Sequence, residues 1–166
     1  LSRTDERAEV VDFSRPYAQV PTGVLVSTAR VAADAGLAAL EAPGTILAVQ
    51  RKTTGESRAA ERFPAATIRA YDREVDAAAE VAAGRAHGLV YDMVSLVKLH
   101  AQSPDATRIL DETLGTEHYA IAFRKGSPLV APVDAFLARE SRPGGAVDRL
   151  LETWLGDAAR FRADGE

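Results

Sequence analysis

The stretch TILAVQRKTTGESRAAERF, residues 45–63, holds the clearest fold signal in this chain. Residues 46–49 form a short, continuous apolar run, which is typical of a strand buried on both faces in a parallel sheet. Thr53 and Glu56 then have the spacing of a capping box, which predicts a helix directly after the polar turn RKTTG. Such a turn combines unpaired backbone N–H groups with the positive end of a helix dipole, which are the features of an anion site.

This stretch alone leaves two interpretations open. Every helix has an N-terminus, and most capped helices contact only water there, so the turn is consistent with a plain helix start or with a ligand site. The turn has neither the spacing of a P-loop nor the glycine pattern of a dinucleotide fingerprint, which argues against nucleotide chemistry.

Composition narrows the class of protein. A chain of 166 residues with 46% hydrophobic and 27% charged residues is typical of one globular domain or two small lobes. The net charge of −4 and the absence of a basic run argue against nucleic acid as a partner. No apolar stretch approaches the ~20 residues that cross a bilayer. The chain contains no cysteine, and His87, His100 and His118 lack metal-ligand spacing, so no metal or other cofactor is expected.

Strand and helix patterns alternate through the middle of the chain. Strand patterns lie at residues 23–27, 46–49, 67–71, 89–91, 107–110 and 119–123. Helix patterns lie at residues 4–8, 32–40, 72–83, 93–102, 128–139 and 146–155, in addition to the helix that begins at Thr53. The alternation predicts an α/β lobe with a mostly parallel sheet, and the apolar stripes of the last two helices are interpreted as core.

Four motifs occur in a characteristic order and spacing. They are TDER (4–7) followed by VDFSRPY (11–17), VQRKTTGE (49–56), GRAHGLVYD (84–92) and YAIAFRKGSPL (119–129). Together they resemble the extracytoplasmic solute-binding proteins of polar amino-acid ABC transporters, bacterial family 3, which have the type II periplasmic-binding-protein fold. The resemblance implies an N-terminally truncated chain. It also implies three parts: a remnant of lobe one at residues 1–19, a complete α/β lobe two at 20–118, and a return strand with C-terminal helices at 119–166.

The resemblance implies periplasmic binding of a polar amino acid, with delivery to an ABC transporter permease and no catalysis. Two alternatives on the same fold remain open. One is the ligand-sensing domain of a membrane receptor, and the other is an enzyme similar to cyclohexadienyl dehydratase, for which Glu117 is the candidate acid.

The resemblance also assigns the ligand contacts. Arg7 matches the arginine that holds the ligand carboxylate, which a guanidinium fork can bind with two hydrogen bonds. Asp92 matches the acid that receives the ammonium, and it follows a buried strand, where open α/β sheets bind ligands. The other assigned contacts are Ser2, Thr53, Thr54 and Tyr91. From the residues alone, a solvated surface arginine is the favoured interpretation of Arg7, and both Asp92 and Thr53 could be plain helix caps.

Two further expectations concern the ligand and the assembly. Lys52 replaces the usual glycine of the turn and follows Arg51, so a ligand with an acidic side chain is expected. If the chain lacks the rest of lobe one, part of its apolar surface is uncovered, and a homodimer is expected. The residues expected to be exposed are Val133, Phe136, Leu150 and Trp154.

Overall fold

The computed structural model describes residues 1–155, with side chains up to residue 153. The chain divides into two compact units. Unit 1 comprises Leu1–Val20 and Thr116–Glu166, and unit 2 comprises Pro21–Gly115. Each unit is built from both α-helices and β-strands.

Five of the six strands of the larger sheet lie largely in unit 2, in the order β4-β3-β5-β2-β6. Their bounds are β2 Ala18–Ser27, β3 Ile46–Gln50, β4 Thr67–Tyr71, β5 Gly88–Asp92 and β6 Thr107–Ile109. Strand β3 runs parallel to both β4 and β5, whereas β2 runs antiparallel to both β5 and β6. Strands β3 to β6 therefore share one direction, and the expected mostly parallel sheet is confirmed.

The helices of unit 2 explain these directions. Their bounds are α2 Thr54–Arg62, α3 Glu74–Ala82 and α4 Met93–Gln102, with a short 3₁₀ helix at Leu37–Glu41. Parallel neighbours need a crossover connection, and α2 and α3 supply it from β3 to β4 and from β4 to β5. The helix expected at residues 32–40 is confined to the 3₁₀ turn, because Gly36 at its start has an extended backbone.

Apolar side chains cover both faces of this sheet. Val24, Leu47 and Phe63 belong to one cluster, while Leu25 and Ala48, chain neighbours of the first two in β2 and β3, belong to the other. The alternation follows from the twofold repeat of a strand, which sends successive side chains to opposite faces. The short apolar run at residues 46–49 is therefore a central strand, as predicted.

The elements of unit 1 come from the two ends of the chain. Their bounds are α1 Asp5–Val10, β1 Val11–Phe13, β7 Thr116–Tyr119, β8 Ala122–Arg124, α5 Val130–Glu140 and α6 Ala146–Leu155. The single strand expected at residues 119–123 is wrong, because the chain changes partner there: β7 pairs with β2, and β8 pairs antiparallel with β1. Between them, the backbone N–H of Ile121 donates to the side-chain hydroxyl of Ser14 instead of continuing a ladder.

Unit 1 exposes much of its apolar surface. Six of the seven exposed large hydrophobic side chains in the described part of the chain lie there: Leu1, Val10, Ile121, Leu129, Phe136 and Leu150. The core interpretation of the tail helices holds for Leu137 and Leu151, which are buried, but not for Phe136 and Leu150. Val133 is partly buried, and the side chain of Trp154 lies outside the described residues.

Candidate ligand-binding site

The carboxyl edge of the unit 2 sheet is linked by side-chain hydrogen bonds. Tyr91, near the end of β5, donates from its hydroxyl to Oε1 of Gln50 at the end of β3, at 2.6 Å. The same Gln50 amide donates from Nε2 to the backbone oxygen of Asp72, just after β4, at 3.1 Å. Gln50 thus connects the ends of three neighbouring strands, at the edge where Thr53, Thr54 and Asp92 also lie.

Thr53 caps helix α2 as predicted. Its hydroxyl accepts a hydrogen bond from the backbone N–H of Glu56 at 3.4 Å and donates one to the backbone oxygen of Gln50 at 2.7 Å. The Glu56 carboxylate, however, accepts from the backbone N–H of Lys52 at 2.7 Å, one residue before the position that a capping box uses. Lys52 has a positive φ of 61°, which is uncommon outside glycine.

Thr54 differs from its neighbour in what its side chain contacts. It is the first residue of α2 and is partly buried. Within residues 1–155, the Thr54 hydroxyl makes no hydrogen bond, whereas the hydroxyl of Thr53 is used for capping. Of the two threonines assigned to the ligand, Thr54 therefore keeps its donor available at the helix start.

Asp92 is the last residue of β5 and stands at the N-cap position of α4. Its side chain makes no capping hydrogen bond to that helix. The plain capping interpretation, open from the sequence alone, is thus not what the structure shows. Next to it, burial raises the pKa of the Tyr91 hydroxyl, and the carboxylates of Asp92 and Glu74 raise it further. Tyr91 therefore stays protonated and can donate to Gln50.

Each basic residue of the turn lies near an acidic residue. Nε of Arg51 lies 3.2 Å from Oδ1 of Asp72, and its NH2 donates to the backbone oxygen of Ala70 at 3.1 Å. The Glu56 carboxylate lies against the backbone of Lys52. Asp72 therefore offsets the charge of Arg51, and Glu56 places a negative charge beside the backbone of Lys52.

The two remaining assigned residues lie together in unit 1. Arg7 is in the short helix α1, which Thr4 caps by accepting from the Arg7 backbone N–H at 3.2 Å. The Arg7 guanidinium donates to the backbone oxygen of Ser2 at 2.9 Å, and Ser2 is only 6% exposed. Ser2 is also bridged to Tyr119. Arg7 is partly buried and held against Ser2, so the interpretation as a fully solvated surface arginine does not apply.

Comparison with known protein families decides the class. Residues 1–157 match the profile of the bacterial extracellular solute-binding proteins, family 3. The chain belongs to this family. The resemblance seen in the sequence motifs and the type II periplasmic-binding-protein fold are therefore confirmed, and the family binds solutes, including amino acids.

Solved structures agree with this assignment. An ancestral amino acid-binding protein, a precursor of cyclohexadienyl dehydratase, is 32% identical with a TM-score of 0.80, and the match covers 93% of this chain and 66% of that one. A putative ABC transporter binding component from Wolinella succinogenes, complexed with lysine, is 28% identical with a TM-score of 0.85 (95% and 68% coverage). The arginine-, lysine- and histidine-binding protein ArtJ from Geobacillus stearothermophilus is 25% identical with a TM-score of 0.79 (95% and 68% coverage).

This chain is shorter than the proteins it matches, and it spans 66% of the length of the ancestral protein. No curated protein sequence matches it significantly. In residues 1–155, no helix is long and apolar enough to cross a membrane, and no group of three or more potential metal ligands occurs.

One feature of the edge could not be found from spacing. The bond between Gln50 and Tyr91 joins positions 41 residues apart, on strands β3 and β5, and the alternation of strands and helices does not predict that these two strands are neighbours. The only sequence signal is that each is a polar residue at the end of an apolar strand pattern.

Proposed function

We propose that this protein binds a polar amino acid outside the cytoplasm, in the periplasm, and presents it to the permease of an ABC transporter. The observation that carries the proposal is the placement of Thr54 and Asp92 at one edge of the unit 2 sheet, beside the bond between Tyr91 and Gln50. A hydroxyl donor at a helix N-terminus and a carboxylate at the end of a nearby strand are the two kinds of group that a zwitterion needs.

The roles follow from the charges of a free amino acid. Within unit 2, its α-carboxylate would accept from the Thr54 hydroxyl and from the N–H groups of the first turn of α2. In unit 1, the family resemblance assigns Arg7 and Ser2 as carboxylate contacts. Its α-ammonium would bind the Asp92 carboxylate. Thr53 would act through the helix cap, and Tyr91 would act through Gln50 and its ring.

The ligand class is proposed only as a polar amino acid. Two of the similar solved proteins bind lysine or a group of basic amino acids. The acidic ligand expected from Lys52 and Arg51 stays a prediction, although Asp72 offsets the charge of Arg51. Lysine, arginine, glutamine and glutamate therefore all belong in a first panel of ligands.

Calorimetric titration of the protein with that panel tests the proposal. Micromolar or tighter binding, on the order of −8 kcal/mol, is expected for at least one amino acid. Asp92→Asn removes the negative charge that binds the ammonium, and Arg7→Lys removes the two-donor geometry of the guanidinium, so each should weaken binding at least about tenfold. The matched controls are Asp76→Asn, an exposed carboxylate on α3, and Arg3→Lys, an exposed arginine near Arg7. Absence of binding by the whole panel would overturn the proposal.

A dehydratase function is the second candidate, because a similar solved protein is a precursor of cyclohexadienyl dehydratase. The acid nominated for it, Glu117, lies in β7 and is only 4% exposed. Binding without turnover is proposed because the matched family and most of the similar solved proteins are described as binding proteins. Product formation from cyclic amino-acid precursors, lost in Glu117→Gln, would reverse this choice.

A further inference from the structure

Helix α2 approaches strand β5 unusually closely at Gly55. This residue is the second of the helix and is buried. A Cβ atom placed on Gly55 would lie 2.7 Å from the backbone oxygen of Val90 and 3.4 Å from its carbonyl carbon. The obstacle is backbone in the middle of β5, so it cannot move aside as a flexible side chain could. The first turn of α2 therefore packs directly on the backbone of β5.

Backbone conformation does not explain a glycine at this position. Gly55 is not among the glycines with positive φ, and it lies inside a regular helix, where glycine is less favourable than alanine. Close packing against Val90 is the one steric demand at this position that only glycine meets.

The position of this contact matters because of what flanks it. Thr54 directly precedes Gly55, and Val90 is followed by Tyr91 and Asp92 at the end of β5. The spacing between the start of α2 and the end of β5 is therefore set where Gly55 meets Val90. To restore an ordinary contact of 3.4 Å, a side chain at position 55 would push the two elements apart by roughly 0.7 Å.

We propose that Gly55 is a positioning residue of the ligand site, an inference that rests on the proposed function. It touches no ligand. It fixes the distance between Asp92 and the start of α2, where the Thr54 hydroxyl and the first-turn N–H groups lie. We infer that this distance matches the separation between the carboxylate and the ammonium of one amino acid. Both groups of the ligand share one carbon, so the ligand cannot stretch to follow a displaced helix, and binding is sensitive to the spacing.

The test compares Gly55→Ala with Gly88→Ala. Gly88 is also buried and stands at the opposite end of β5, where a Cβ atom would lie 3.0 Å from Cγ1 of Val24 and 3.2 Å from the backbone oxygen of Leu25. Both variants add one methyl group against the same strand. Amino-acid affinity by calorimetry and stability by urea denaturation are measured for each.

Gly55→Ala is expected to lower affinity about tenfold or more, whereas Gly88→Ala is expected to lower stability and to keep affinity within about threefold of wild type. Thr54→Ala should lower affinity less in the Gly55→Ala protein than in the wild-type protein. In the Gly55→Ala protein the hydroxyl is already displaced and no longer reaches the ligand, so its removal has little further effect. A merely structural role would leave the two effects additive.

Several outcomes would overturn the inference. Wild-type affinity in Gly55→Ala, an equal loss of affinity in Gly88→Ala, or additive effects with Thr54→Ala would each do so. A Gly55→Ala protein that fails to fold when Gly88→Ala folds would assign the glycine to folding alone. If the wild-type protein binds no amino acid, the proposed function itself fails, which distinguishes that result from failure of the positioning role.

Discussion

The hydroxyl of Tyr91 donates a hydrogen bond of 2.6 Å to the side-chain oxygen of Gln50 across the parallel pair β5 and β3. The raised pKa of Tyr91 keeps this donor protonated at neutral pH. The Gln50 amide continues the connection to Asp72, so one side chain links the ends of β5, β3 and β4. The polar edge of the sheet is thus ordered by contacts within unit 2.

Tyr91→Phe is expected to lower the free energy of unfolding by about 1 kcal/mol, because it leaves the Gln50 oxygen without its donor. Ligand affinity should fall less in Tyr91→Phe than in Tyr91→Ala, which also removes the ring. A double-mutant cycle of Tyr91→Phe and Gln50→Leu, measured by urea denaturation, gives the coupling energy between the two side chains. A coupling energy near zero would show that the bond contributes nothing to stability.

The adjacent threonines are expected to separate stability from binding. Thr53→Ala removes the cap of α2 and should lower the free energy of unfolding by about 1 kcal/mol. Thr54→Ala removes no hydrogen bond described in the chain, so it should leave stability nearly unchanged and weaken amino-acid binding roughly tenfold. Denaturation and calorimetry on both variants provide the comparison, and each serves as the control for the other. The reverse pattern would contradict the assignment of Thr54 as the ligand donor.

His87 is expected to make unit 2 sensitive to acid. Its Nδ1 accepts a hydrogen bond from the backbone N–H of Ile46 at 3.0 Å, which requires a neutral ring. Burial lowers the pKa of His87 below its ordinary 6.5, and the nearby Arg30 lowers it further. The unfolded chain therefore takes up a proton at a higher pH than the folded chain. The stabilisation is complete above pH 6.5 and is lost as pH falls from there through the folded-state pKa.

Urea denaturation at several pH values between about 7.5 and about 5 checks this dependence, since those values bracket the ordinary histidine pKa of about 6.5. His87→Gln should flatten the decrease in stability over that range. The matched control is His118→Gln, because His118 is exposed in β7 and should leave the slope unchanged. An unaltered slope in His87→Gln would show that other groups cause the acid sensitivity.

A polypeptide of these 166 residues is expected to self-associate through unit 1. Phe136 is 45% exposed and Leu150 is 57% exposed, together with four other large apolar side chains of that unit. Phe136→Ser with Leu150→Ser should shift sedimentation toward the monomer and reduce binding of an apolar dye. Val97→Ser is the control, because Val97 is the comparably exposed residue of unit 2, at 55%. A wild-type monomer that binds no dye would contradict the expectation.

Local sequence determined most of the secondary structure of this protein and indicated its family. The alternation of strands and helices, the capped start of α2 at Thr53 and the parallel placement of β3 could all be predicted, because they depend on repeats and hydrogen bonds over three or four residues. Four short motifs were enough to indicate the family that the profile match confirms.

Only the tertiary structure decided how the edge of the sheet is arranged. The bond between Gln50 and Tyr91, the pairing of Arg51 with Asp72 and the contact of Gly55 with Val90 join residues 21 to 41 positions apart. Each depends on which strands are neighbours, on their register and on how closely a helix packs against them. These distances are set by the packing of the whole unit, so the same local pattern is compatible with a plain helix cap or with a ligand site.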